Sequence, residues 1–165
     1  MAMRRRGAIP AVASADGARP IGGRLIDEDG TTMAGTFKFE LVSPERILLS
    51  EEAEQAVLPG SDGEFTVLAG HAPVVSALLP GVIRVTMPSS KKGIYIKGGF
   101  AEVNPGGVTV LAEHAFVVDE VDPRQIDDEL AKAEAALKDA KDDEALRHVT
   151  RAIEQLKALQ GRKAA

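Results

Sequence analysis

The middle of the chain alternates hydrophobic and polar residues with the period of a β-strand. At its start, Phe37, Phe39 and Leu41 fall on one face while Lys38 and Glu40 fall on the other, which predicts a strand with one buried and one solvated side. Further short apolar segments bounded by turn residues follow at 46–50, 53–58, 64–68, 81–87, 93–97, 100–103, 108–112 and 116–121. Many short strands with Gly and Pro between them predict an antiparallel β-sandwich or flattened barrel.

From Asp122 onward the period changes to that of a helix. Asp122 is a helix-capping residue, Pro123 suits the first helical position, and Gln125 has the capping-box spacing. Two apolar stripes follow, formed by Ile126, Leu130, Ala133 and Leu137 and then by Leu146, Val149, Ile153, Leu156 and Leu159. The polar segment 138–143 separates them, so we predict an antiparallel helical hairpin. Its narrow stripes must be buried against each other, the sandwich or another protein, and its modest stability would allow it to undock.

These patterns predict an α+β chain in three parts: a disordered extension at 1–35, a β-sandwich domain at 36–121 and a helical hairpin domain at 122–165. Residues 1–32 are rich in Gly, Ala and Arg without sustained periodicity, which favours disorder. A signal peptide is disfavoured because Pro10 interrupts a marginal apolar segment, while a transit peptide is an alternative. We favour a non-native or upstream extension, since Met33 stands just before the first strand.

Composition narrows the class of function. The chain has 165 residues, 44% hydrophobic and 4% aromatic, with a net charge of -5, which argues against a nucleic-acid binder. It has no cysteine, so disulfides, thiolate catalysis and Cys-based zinc sites are excluded. Since no apolar stretch approaches the roughly 20 residues that span a bilayer, we expect any membrane association to run through a partner.

The two helical segments differ in charge. Residues 122–143 contain eight acids and four bases, whereas 144–163 contain two acids and five bases. Pairing between the helices, with solvated outer faces, explains this difference. The alternative is that the second helix also meets an acidic partner surface through its basic residues, which are Arg147, Arg151, Lys157, Arg162 and Lys163.

Candidate chemistry is sparse. There is no phosphate-binding loop with P-loop spacing, no nucleophile elbow and no kinase signature. His71, His114 and His148 lie on unlike segments without metal-ligand spacing. We therefore expect no enzyme activity, no metal and no cofactor. His71, in a loop constrained by Gly70 and Pro73, is either a functional contact or a structural histidine.

A series of short motifs follows in order along the sandwich region: Leu41-Val42-Ser43-Pro44, Pro59-Gly60 with Gly63, Val67-Leu68 with Gly70-His71-Ala72-Pro73, Leu79-Pro80-Gly81, Gly98 to Val103 and Val108 to Ala112. In order and spacing they resemble the epsilon subunit of F-type ATP synthases, over approximately Phe37 to Leu159. The resemblance implies a non-catalytic β-sandwich and helical hairpin in the rotating central stalk, linking the gamma subunit to the c ring and coupling proton translocation to ATP synthesis.

Site residues follow from the matching motifs alone. The resemblance implies that Ser43, His71 and Ser76 lie toward the gamma subunit, and that Ser61 and Glu64 lie in a loop facing the c ring. It also implies a peripheral location at the cytoplasmic face of a bacterial inner membrane, held through the complex; an organellar inner membrane is the alternative.

In the family, the hairpin can fold against the sandwich or extend into the catalytic head of alpha and beta subunits, where it restrains ATP hydrolysis. Arg147, Arg151 and Lys157 are then candidate head contacts. Some members bind ATP in the compact form, but Leu130 stands here where those members carry Arg, which removes a cation suited to phosphate. Thr66 likewise replaces a Gly often found in the central loop.

Two other classes of function compete with this interpretation. A free-standing β-sandwich ligand-binding module would need a pocket with convergent polar groups, and a small hydrolase would need a nucleophile and a base. The sequence shows no obvious set for either.

Overall fold

The computed structural model describes residues 25–26, 32–33 and 35–164, and side chains over 35–163. Its strands are β1 (Leu25–Ile26), β2 (Thr32–Met33), β3 (Phe37–Val42), β4 (Ile47–Ala53), β5 (Gln55–Gly60), β6 (Gly63–Leu68), β7 (Val74–Leu78), β8 (Gly81–Thr86), β9 (Lys91–Ile96), β10 (Gly99–Asn104), β11 (Gly107–Ala112) and β12 (Ala115–Val117). The helices are α1 (Pro123–Asp139) and α2 (Asp143–Ala164). Most of the predicted disordered extension lies outside the described residues; within it, β1 and β2 pair antiparallel.

Ten strands form the sandwich. The sheet order is β12-β9-β8-β5-β7-β10-β11-β3-β4, with β6 paired to β5. The inward faces enclose a core that includes Phe37, Phe39, Leu41, Ile83 and Ile94, none more than 3% exposed. The predicted sandwich is confirmed, and so are the inward positions of the first strand.

One pairing departs from the antiparallel pattern: β3 and β11 run parallel, with Val42 opposite Leu111. Parallel neighbours need a long connection, and here the chain from β4 to β10 supplies it. Alternation within one strand carries no information about a partner so distant in sequence.

Two strand predictions needed correction. β7 was not predicted. Turn residues precede it, and its outward residues Val75 and Ala77 are apolar, so the strand lacks the alternation of polar and apolar positions. The last strand was predicted over 116–121 but ends at Val117, since Val118 to Val121 form the turn into α1: the Val121 N–H donates to the Val117 carbonyl at 3.0 Å.

α1 begins where the sequence predicts, and α2 begins at Asp143, the last residue of the predicted connection. The Asp122 carboxylate accepts a hydrogen bond from the Arg124 N–H at 2.9 Å and so caps α1. Asp142 accepts from the Ala145 N–H at 2.7 Å and caps α2. Each bond satisfies an N–H group that the helix cannot pair internally.

The hairpin packs against the outer face of β8, β9 and β12. This contact forms a second core, which we call the seam, consisting of Tyr95, Phe116, Val118, Val121, Ile126, Leu130, Ala133, Ile153, Leu156 and Leu159. Leu137 and Leu146, at the far end of the hairpin, are 37% and 44% exposed. The predicted apolar stripes are therefore covered only over the part nearest the sandwich.

Candidate functional site

The tip of the β5–β6 hairpin carries Ser61 and Glu64. The turn is tight, with Gly63 at a φ of +125°, a conformation that favours glycine. The Ser61 N–H donates to the Ala77 carbonyl at 2.9 Å, which ties the tip to the end of β7. The structure thus brings these two predicted site residues together on one anchored, exposed loop.

Glu64 has a partner that sequence reasoning missed. An Arg84 guanidinium nitrogen lies 2.6 Å from the Glu64 carboxylate, and both side chains are more than half exposed. An exposed pair of this kind contributes up to about 1 kcal/mol. Arg84 is the outward residue in the middle of β8, which the alternation of that strand could have indicated.

Ser43, His71 and Ser76 occupy three separate positions. The Ser43 hydroxyl donates to the Arg46 carbonyl at 3.1 Å and closes the turn between β3 and β4. The Ser76 hydroxyl, in β7, donates to the Ala77 carbonyl at 3.0 Å. A ring nitrogen of His71 lies 2.7 Å from the Ala72 carbonyl oxygen in the loop before β7.

The strand register shows that these three residues do not form one cluster. Ser76 pairs with Ala101 in β10. Three inter-strand steps separate its strand, β7, from β3, at whose end Ser43 lies, which is a distance of about 14 Å. The loop of His71 adjoins Val74, which pairs with Val103 near the opposite end of β10. The three residues border one sheet, made of β7, β10, β11 and β3.

The outer face of that sheet exposes an apolar row that sequence reasoning also missed. Phe100, Leu111, Val42 and Ile47 are successive cross-strand neighbours. Phe100, Leu111 and Ile47 are 59%, 55% and 63% exposed. We call these four residues the apolar row. Ser43 lies beside it, in a shallow groove of about 340 Å³ lined by Phe100 and Leu111. Contiguous exposed apolar side chains mark an interaction surface.

The three candidate basic residues of α2 differ in environment. The Arg151 guanidinium donates to the Pro80 carbonyl at 2.9 Å and is half-buried, whereas Arg147 and Lys157 are exposed. Lys163 also contacts the sandwich side, donating to the carbonyls of Asp119 and Val121 at 3.3 Å. Arg151 therefore fixes the docked hairpin, while Arg147 and Lys157 face outward.

A groove of about 810 Å³ separates α2 from β5, β8 and β9. Six basic side chains line it against two acidic ones, Glu64 and Asp119. The basic residues are Arg84, Lys91, Lys92, Arg151, Arg162 and Lys163. This side of the molecule is locally positive although the chain as a whole carries a net charge of -5.

One charged cluster borders the seam. The Glu129 carboxylate lies 3.0 Å from the Lys132 ammonium and 3.4 Å from a ring nitrogen of His114. A hydrogen bond from Lys132 to Glu129, aided by the charge of that carboxylate, raises the pKa of Lys132. Burial, and secondarily the charge of Glu129, raises the pKa of the Tyr95 phenol. Leu130, at the position discussed for ATP, is buried in the seam.

Within residues 35–163, no three His, Asp or Glu side chains come close enough together to hold a metal ion. No helix of the described part is long and apolar enough to cross a membrane.

The described part is a β-sandwich with one outer face covered by a helical hairpin and the other exposing the apolar row, which defines a subunit suited to binding other proteins. Residues 36–118 match the family model for the ATP synthase Delta/Epsilon chain, beta-sandwich domain. Together with relatives at 46–47% identity over 78% of the chain, this match shows that the chain belongs to the ATP synthase delta/epsilon chain family.

The alignments span nearly the full length of the relatives. The ATP synthase epsilon chain of Brucella anthropi is 47% identical over 133 residues, which are 78% of this chain and 96% of that protein. The epsilon chain of Brucella canis is 46% identical with the same coverage. The resemblance to the epsilon subunit predicted from the loop motifs is thereby confirmed.

Solved structures agree. The fold matches a chain of the Euglena gracilis mitochondrial ATP synthase OSCP/F1/c-ring structure with a TM-score of 0.59 and 28% identity, covering 82% of this chain and 85% of that one. It also matches a chain of the central stalk and c-ring structure from Tetrahymena thermophila, with a TM-score of 0.50 and 17% identity, covering 74% and 99%. The second match supports the fold alone.

Proposed function

We propose that this chain is the central-stalk rotor subunit of an F-type ATP synthase, which links the gamma subunit to the c ring and couples proton translocation to ATP synthesis without catalysing a reaction itself. The observation that carries this proposal is the 47% identity to an ATP synthase epsilon chain across 96% of that protein. The free-standing ligand-binding module is not favoured, since the relatives are subunits of a complex.

The apolar row is the proposed contact with the gamma subunit. Its exposed Phe100, Leu111 and Ile47 would lose water on association, and burial of such side chains is the main favourable term in protein–protein binding. Ser43 lies beside the row, while Ser76 and His71 lie along β7 and the loop before it. These three residues then belong to the rim of the gamma interface rather than to its centre.

The β5–β6 tip is the proposed contact with the c ring. Ser61 and Glu64 are exposed there, and the two backbone bonds that flank the tip, Ser61 N–H to Ala77 and Leu79 N–H to Pro59 at 2.9 and 2.8 Å, keep the loop in a fixed position. A rigid loop suits a coupling contact because it loses little conformational entropy on binding.

The hairpin is the proposed regulatory element. In its docked position Arg147 and Lys157 are exposed and available to acidic surfaces of the alpha and beta subunits. Arg151 can join them only after its bond to the Pro80 carbonyl breaks. Extension of the hairpin into the catalytic head would therefore exchange this bond for a contact that restrains ATP hydrolysis.

The proposed location is the cytoplasmic face of a bacterial inner membrane. The relatives come from Brucella, a bacterium. Attachment would run through the gamma subunit and the c ring.

The test is assembly in the host. The chain, tagged and expressed there, is expected to co-purify from detergent-solubilised membranes with an ATP-hydrolysing complex at a fixed subunit ratio. Phe100→Glu is expected to lower its recovery with the gamma subunit at least tenfold, because it places a charge in the apolar row. The matched control is Leu146→Glu, which changes another half-exposed apolar residue, on α2 rather than on the sheet of the apolar row, and should leave recovery unchanged. Recovery of wild type alone, with an intact ATPase that lacks it, would refute the proposal and favour the ligand-binding module.

The loop contact has its own test. Glu64→Lys is expected to leave co-purification with gamma intact while weakening proton-coupled ATP synthesis, since it reverses the charge of the tip and also disrupts the pair with Arg84. Arg84→Gln, which breaks the same pair but keeps Glu64, is the control. Equal effects of both variants would assign the defect to the lost pair and would contradict a direct contact of Glu64.

A further inference from the structure

Glu129 is the only charged side chain that is buried among the residues whose side chains the structure describes, at 8% exposure. It lies on α1 next to Leu130, which belongs to the seam that joins the hairpin to the sandwich. Burying a carboxylate is costly unless it is paired. The partners of Glu129 therefore influence how strongly the hairpin docks.

One of those partners belongs to the hairpin and the other to the sandwich. Lys132 is on α1, three residues away, with its ammonium 3.0 Å from the Glu129 carboxylate. Because both residues belong to one helix, this pair persists when the hairpin moves. His114 lies in the β11–β12 loop, with a ring nitrogen 3.4 Å from the same carboxylate. This second contact exists only while the hairpin is docked.

The remaining ionisable groups around the pair do not replace His114. From β9, Tyr95 faces Glu129 as a buried phenol. From α1, Asp128 is exposed and adds negative charge, and Glu113 beside His114 is likewise exposed. From α2, His148 packs on Gly98, with its ring nitrogen 3.1 Å from where a Cβ would lie. The packed apolar neighbour of His114 is Phe116, whose ring centre is 6.3 Å from the imidazole.

We propose that His114 and Glu129 form a pH-responsive latch that sets how readily the hairpin leaves the sandwich. Imidazoles change charge between about pH 5 and 8. Protonated His114 attracts the Glu129 carboxylate in the docked state only, so protons favour docking. When the imidazole is neutral, the carboxylate stays buried with only the helix's own Lys132 as a cationic partner, and docking weakens. What the docked state regulates rests on the proposed function; the latch itself does not.

The experiment measures opening in the isolated full-length chain, so its outcome does not depend on assembly. The chain has no cysteine, which allows a single reporter thiol at Ala152, a residue of α2 that is 5% exposed. The labelling rate of Ala152→Cys, divided at each pH by that of an unstructured cysteine peptide, gives the opening constant even when the open form is rare. We expect it to be about 1.5- to 5-fold smaller at pH 5.5 than at pH 7.5, the range for a half-exposed pair.

Histidine variants assign the response. The chain has three histidines, so His114→Gln should remove this pH dependence while His71→Gln and His148→Gln retain it. Glu129→Gln, nearly the same size, should also remove it. A double-mutant cycle between His114 and Glu129 should show coupling at pH 5.5 that disappears at pH 7.5. An unchanged pH dependence in His114→Gln, its loss in His148→Gln, or the absence of coupling at pH 5.5 would overturn the proposal.

Discussion

Leu156 is the residue whose truncation should separate docking of the hairpin from folding of the sandwich. It lies in α2, is 1% exposed and belongs to the seam. Leu→Ala changes at buried positions cost about 2–5 kcal/mol, because they remove buried methyl groups and leave a cavity. The sandwich has its own core, in which no hairpin residue takes part. The cost of Leu156→Ala should therefore fall on the docked state of the hairpin.

The expected change in the opening constant of the hairpin follows from this cost. A loss of 2 kcal/mol corresponds to a roughly 30-fold larger opening constant. Limited trypsin digestion under native conditions measures this, since α2 contains Arg147, Arg151 and Lys157 and cleavage follows the population of the open form when opening is fast. Mass spectrometry identifies the cleaved bonds.

Leu146→Ala is the matched control. It makes the same chemical change in the same helix, but Leu146 is 44% exposed, so the effect should stay within about 0.5 kcal/mol. Similar cleavage rates in the two variants would refute the reasoning. So would a fall in the thermal unfolding temperature of the sandwich, in Leu156→Ala, as large as that caused by Ile83→Ala, which truncates a fully buried sandwich residue.

Three further outcomes are expected. Gly99→Ala should strongly destabilise the sandwich in thermal melts, because Gly99 has a φ of +148° and an added Cβ would lie 2.0 Å from a carbonyl oxygen of the neighbouring strand. Gly161 lies in open space within α2, so Gly161→Ala should instead stabilise the helix by up to about 1 kcal/mol. Asp122→Ala should cost about 1 kcal/mol in denaturant unfolding through loss of the α1 cap, whereas Asp122→Asn should cost much less. Tyr95 is the single tyrosine, and its pKa is raised by burial and by the charge of Glu129. Its contribution to stability is therefore complete below about pH 10 and is lost as pH rises further. Ultraviolet titration should show the phenolate only at higher pH than for free tyrosine, and at lower pH in Glu129→Gln than in wild type.

The elements themselves could be predicted well from the sequence. Alternation of Phe37, Phe39 and Leu41 identified the inward face of β3, and Asp122 with Pro123 identified the start of α1 to the residue. These features depend on neighbours within a few positions, where pleat, helix period and capping bonds act. The loop motifs identified the family for a similar reason, since each is a short local sequence.

Part of the candidate site could also be predicted. Ser61 and Glu64 were placed on one loop, and the structure brings them together at the β5–β6 tip. The partner of Glu64 could not be predicted, because Arg84 lies 20 residues further along the chain. The binding roles of Ser43, His71 and Ser76 stay predictions.

What the sequence alone determined is therefore the order and type of the elements, the caps of the helices and the family. The tertiary structure decided which surfaces are covered. Tyr95 and Phe100 are both aromatic residues on strands, yet the hairpin buries Tyr95 at 1% exposure and leaves Phe100 at 59%. It also decided the parallel pairing of β3 with β11, the engagement of Arg151 by the sandwich and the meeting of His114 with Glu129. The physical reason is that burial and pairing arise between segments far apart along the chain, and no local pattern records which of them will meet.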